Sequence, residues 1–193
     1  MDKTYEPIAT QTVSGTSTST VTFTSIPQSY TDLVLVSVVT QSADVSSFLR
    51  FNSDAGTNYS RTRVLGTGTT TSSARSSGDT GVLFSFGTLT NLTNVITQIS
   101  NYTNTTTYKT TITRNNNTGD WLGAHVGLWR STAAITTASV TVASGYIVAG
   151  STFTLYGIKA ALWLPIILYK PLLLGQVGQQ VLRLLLSHKH IRI

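Results

Sequence analysis

The sequence predicts an all-β protein: a single antiparallel β-sandwich, jelly-roll-like, of about 8–10 strands, followed by an unrelated tail. Three observations predict it. Threonine occurs 35 times, always between Thr4 and Thr154. Charged residues make up only 10% of the chain, against roughly a quarter in ordinary soluble domains. Short runs of alternating apolar and polar residues recur between clusters of Gly, Asn, Asp and Ser, the pattern of half-buried strands separated by turns.

Taken in order, STVTFTS (19–25) alternates Val21 and Phe23 with Ser and Thr. DLVLVSVVT (32–40) is long and strongly apolar, as expected of a central strand. SFLRFN (47–52), YSRTRVLG (59–66) and GVLFSFG (81–87) follow. NVITQISNY (94–102) and YKTTITR (108–114) flank a polar stretch. WLGAHVGLWR (121–130), AITTASVTVA (134–143) and STFTLYGI (151–158) complete the set. About ten strands at regular spacing point to a sandwich or jelly roll. NSDAGTN (52–58) and NNNTGD (115–120) are turn-rich and read as loops between strands. GTGTTTSSARSSGDTG (66–81) has few apolar residues and reads as a long, mobile surface loop.

The composition breaks near residue 160. Residues 161–193 hold ten leucines, as many as residues 1–160 together, and no Thr, Asn, Asp or Glu. The expected organisation is therefore a structural domain over 1–160 and a Leu-rich basic tail over 161–193. The tail's apolar stretch is interrupted by Pro165, Lys170 and Pro171. It falls short of the roughly 20 apolar residues of a membrane span. QQVLRLLLSHKHIRI (179–193) has the pattern of a basic amphipathic helix.

A second origin for the tail comes from its codons. Leu162-Trp163 can be encoded as CTA TGG, which contains ATG. Shifted by one base, the codons for 186–193 permit Ile-Pro-Gln-Thr-Tyr-Thr-Asp, close to Ile26-Pro27-Gln28-Ser29-Tyr30-Thr31-Asp32 of this chain. The tail thus reads either as the start of a related downstream gene in the wrong frame, or as a natural Leu-rich anchor or partner-binding helix. The nucleotide sequence separates the two, and truncation at Ala160 tests whether the tail is dispensable.

Charge follows the same division. Residues 1–160 carry nine Lys/Arg against seven Asp/Glu, and the tail adds four cations with no acid. A nearly neutral body argues against a phosphate-facing basic patch, so no nucleic-acid partner is expected. With no cysteine, disulfides, Cys-ligated zinc and a Cys nucleophile are excluded. The N-terminus, MDKTYEPIATQTV, lacks the apolar core of a signal peptide, so synthesis in a cytoplasm without export by that route is expected.

No enzymatic constellation emerges, and the chain is expected to be non-enzymatic, without cofactor or metal. His125 is the one histidine before the tail, and no local pattern supplies the orienting acid that triad chemistry needs. Asp54, Asp79 and Asp120 lie in turn-rich segments, where turn formation explains them. Asn52, Asp54 and Asn58 are a weak calcium-loop candidate. GTGTTTSSARSSG lacks the GK[ST] ending of a phosphate loop. The remaining binding signal is aromatic. Tyr59, Tyr102, Tyr108, Trp121 and Trp129 lie near strand ends or turns, where exposed rings stack on sugars or anchor protein contacts. The alternative is packing, and Trp121 and Trp129, eight residues apart, would face the same side of one strand.

TYEPIAT (4–10), SIPQSYTDLVL (25–35), FNSDAGTNYS (51–60), GLWRSTAAIT (127–136) and GSTFTLYGIKA (150–160) carry a resemblance spanning nearly all of residues 4–160. On these segments the chain resembles a family of small structural proteins of tailed bacteriophages, including cyanophages and environmental relatives. Members of that family typically end close to GIKA, where this chain continues. The resemblance implies a virion role, as capsid decoration or tail appendage, with copies of itself and other virion proteins as partners. A receptor- or carbohydrate-binding module of a tail tip, with a host-surface glycan as ligand, is the alternative.

Overall fold

A computed structural model describes residues 4–85, 91–119 and 121–159. The 161–193 tail lies outside the described residues. Among those described there is no helix, and twelve strands form two antiparallel sheets. In chain order they are β1 (Tyr5–Thr12), β2 (Thr20–Phe23), β3 (Asp32–Val39), β4 (Ser47–Phe51), β5 (Tyr59–Gly66), β6 (Thr71–Asp79), β7 (Val82–Ser85), β8 (Thr93–Ser100), β9 (Lys109–Asn117), β10 (Leu122–Trp129), β11 (Ala138–Val142) and β12 (Thr152–Ile158).

The large sheet runs β1-β12-β3-β8-β9-β10-β5-β6 and the small one β2-β11-β4-β7. Pairing is nested: β1 with β12, β2 with β11, β3 with β8, β4 with β7. Successive pairs alternate between the sheets. A long hairpin rolled over itself produces this order, which is the jelly roll. Two inserted hairpins widen the large sheet: β9–β10 extends it beyond β8, and β5–β6 continues it past β10.

The strand number exceeds the expected 8–10, and two segments account for the difference. β1 contains Pro7 and lacks alternation, yet it sits on an edge, where proline's missing N–H costs no ladder bond. β6 was expected to be part of a loop. Its Ser-rich sequence has no burial to favour a strand. It forms because β5 offers a complete antiparallel partner and the connecting turn is well made. Thr67 N–H donates to Thr70 O at 2.9 Å, and Gly68 takes the left-handed conformation at φ +82°. The 115–120 loop is also shorter than expected, since β9 continues to Asn117.

The core lies between the sheets. Leu33, Leu35 and Val39 of β3, Val95 and Ile99 of β8, and Phe153 and Leu155 of β12 meet Leu49, Phe51, Val82, Phe84, Ala138 and Val140 of the small sheet. β3 is hydrogen-bonded on both sides, to β12 and β8, as its apolar run predicts. Gly157 faces Tyr30, whose ring would meet a Cβ there at 2.3 Å. Only glycine admits the ring.

Candidate functional site

The five aromatics singled out from sequence do not form one exposed cluster. Tyr59, Tyr102, Trp121 and Trp129 are buried, and Tyr108 alone is exposed, at 54%. Four of the five are therefore corrected from interface or glycan contacts to packing residues. Strand parity is the reason. Tyr59 and Trp129 are register partners on β5 and β10, and odd-numbered residues of both strands point into the sandwich. Trp121 lies on that same inner side, eight residues from Trp129.

These rings build a corner rather than a groove. Tyr59 stacks on Trp129 with centroids 6.2 Å apart, and Phe51 lies 5.5 Å from the indole. The Tyr59 hydroxyl donates to Asp54 O and accepts from Phe51 N–H; burial raises its pKa to about 12. Tyr102 Oη donates to Pro27 O. Trp129 Nε1 donates to Asp54 Oδ2 at 2.7 Å. Asp54 also accepts from Asn58 Nδ2 and Gly56 N–H. Partial burial would raise its pKa, but these donors outweigh it and hold the carboxyl below its ordinary range. A carboxylate so surrounded by N–H donors is a turn anchor. Asn52, the other end of the calcium candidate, is spent elsewhere: its amide donates to Ala134 O and accepts from Thr136 and Thr137 N–H.

The surface that does stand out is the outer face of the large sheet. In β9 the buried positions are Lys109, Thr111, Thr113, Asn115 and Asn117, while Ile112 faces outward. In β10 the inner row is Gly123, His125, Gly127 and Trp129, while Leu122, Ala124 and Val126 face outward. β10 is thus amphipathic in the inverted sense, and β9 adds Ile112 to the same face beside Thr110, Arg114 and Asn116. The inner side chains make contacts within the large sheet and across to the small one. Asn115 Nδ2 donates to Ser85 Oγ at 3.1 Å, Thr97 and Thr113 share a 3.0 Å bond, and Gly127 lets Val82 of β7 approach to where a Cβ would stand.

Register aligns the outward residues into rows. One runs Val34, Gln98, Ile112, Val126; the next runs Val36, Ile96, Arg114, Ala124, Val64. Ile112 is 57% exposed, Val126 54% and Val64 54%. At the β3–β9 end the face dips into a groove of about 240 Å³ lined by Tyr5, Val34, Val36, Ile96, Gln98, Ile112 and Arg114. That is below the ~300–1,000 Å³ of small-molecule sites. Exposed apolar side chains gathered on one face, here Val64, Ile112, Leu122 and Val126, are a feature of interaction sites. Alternation was visible in sequence, but it does not say which face is covered.

His125 is 1% exposed, and among the described residues neither ring nitrogen has a hydrogen-bond partner. Burial, with Arg63 and Arg61 on the neighbouring strand, lowers its pKa to about 4. Among the described residues no group of three or more His, Cys, Asp or Glu is placed to hold a metal. No helix among them is long and apolar enough to cross a membrane.

No family model matches the chain, and no curated protein is significantly similar to it.

Proposed function

We propose that residues 1–160 are a non-enzymatic structural module of a bacteriophage particle, a capsid decoration or tail appendage component, acting through contacts with its own copies and other virion proteins. The observation that supports this reading is the inverted alternation of β10, which with Ile112 of β9 and Val64 of β5 leaves Leu122, Val126, Ile112 and Val64 exposed on one open face of a sandwich. A monomeric binding domain would gain solubility from polar residues there, whereas an assembly module gains affinity from apolar ones. The sequence resemblance to phage structural proteins points the same way.

The glycan-binding reading needs several exposed rings in one groove. Burial of Tyr59, Tyr102, Trp121 and Trp129 leaves Tyr108 alone of that set, which favours the protein-contact reading. Mass spectrometry of purified particles tests the proposal: the chain is expected among the reproducible virion proteins, and consistent absence overturns it.

A further inference from the structure

We propose that two copies of this chain associate edge to edge through β6, in antiparallel fashion about a two-fold axis normal to the large sheet. This deepens the structural reading above and rests on it.

The two edges of the large sheet are built differently. The β1 edge carries Pro7, a bulge between Pro7 and Ala9, and the Glu6–Lys159 ion pair at 2.7 Å. Proline, bulges and charge are the devices that stop one sheet edge from pairing with another. β6 has a bulge only at its far end, opposite Tyr59 and Ser60. From Thr71 to Ser77 it is regular, exposed nearly throughout, without proline, and carries Arg75 as its single charge. Its side chains are otherwise Thr, Ser and Ala, small enough to admit a second backbone at strand spacing.

The occupant is a second copy because the strand's own pattern fits itself. Exposure along both sides gives β6 no apolar stripe for a different partner to read. A two-fold axis normal to the sheet pairs residues that face the same side. Centred on Ala74, it pairs Thr71 with Ser77, Ser72 with Ser76 and Ser73 with Arg75. Centring on Arg75 instead would set the two guanidinium groups opposite each other, which like-charge repulsion disfavours. The pairing satisfies backbone groups that β5 leaves open. It also makes the two outer faces coplanar, so that the apolar rows of both copies form one larger surface.

The chain has no cysteine, so single introduced thiols report the register. Ala74→Cys in the full chain, at about 10 µM under mild oxidation, is expected to form its disulfide dimer roughly a hundredfold faster than Thr10→Cys on the β1 edge, the ratio of a millimolar effective concentration to the protein concentration. Sedimentation equilibrium of the unmodified chain is expected to give a dimer, shifted to monomer by Ala74→Lys. A monomer at about 100 µM, well above a micromolar Kd, or equal crosslinking of the two cysteine variants, overturns the proposal. Presence of the chain in particles would then still leave the structural reading standing.

Discussion

The buried His125 makes stability depend on pH in a window that few other groups share. Its ring sits on the inner row of β10, paired in register with Thr113 of β9 and Arg63 of β5, and its pKa falls to about 4. Unfolded, it titrates near its ordinary value of about 6.5. Above pH 6.5 both states are neutral and His125 contributes no pH dependence. As pH drops below 6.5 the unfolded chain takes up a proton that the folded chain refuses, so stability falls. The loss is complete near pH 4, where the folded ring also protonates. The gap is worth about 3 kcal/mol, of which about 2 accrues between pH 6.5 and 5. The perturbation is His125→Gln, which removes the titration but keeps a polar side chain of similar size. Urea denaturation at pH 6.5, 5.8 and 5.0, with the slope m held common, gives the free energies. The wild type is expected to lose about 2 kcal/mol more than the variant across this window. Subtraction removes the histidines of the tail. Parallel pH profiles for the two proteins would refute the buried, unpaired ring.

Two further substitutions probe the packing. Gly127→Ala places a methyl 2.3 Å from Val82 Cγ1 and 2.5 Å from Thr111 Oγ1; overpacking of this kind costs about 1–3 kcal/mol, read as a lowered urea midpoint. Asp54→Ala strips acceptors from Trp129 Nε1, Asn58 and Gly56. With the indole N–H left in a nearly closed site, a loss of about 2 kcal/mol is expected, accompanied by a change in Trp129 fluorescence; Tyr108→Ala, at an exposed site, should stay within about 0.5 kcal/mol of wild type.

Most strands were legible because period-two alternation is set by the pleat. Phe48 and Arg50 against Leu49 and Phe51 of β4 show it directly, while β3 is legible from its long apolar run, and the structure places both as strands. The jelly-roll order was legible only as a class, since nested pairing of β1 with β12 joins residues from opposite ends of the body. β6 was missed because its strand state comes from β5 and not from its own Ser-rich sequence. Packing and surface contact stay open for the aromatics in the sequence for a related reason. Tyr59 and Trp129 look like surface anchors near strand ends, but which row of an alternating strand is covered depends on the neighbouring sheet. The same ambiguity hid Ile112 and Val126: LGAHVGLW carries its apolar row on the open side, and KTTITRNNN has Ile112 as its one apolar residue, also on the open side.

Quantitative incorporation of a face variant into particles tests the central claim most directly. Ile112→Lys with Val126→Lys alters two half-exposed, register-paired residues of the outer face, so folding should be spared. Losing the burial of both at a contact is worth about 3 kcal/mol, roughly a hundredfold in affinity. The account predicts that purified particles carrying the double variant lose the protein, while those carrying Tyr108→Lys retain it. Wild-type incorporation of the double variant, or loss caused by Tyr108→Lys instead, would contradict it.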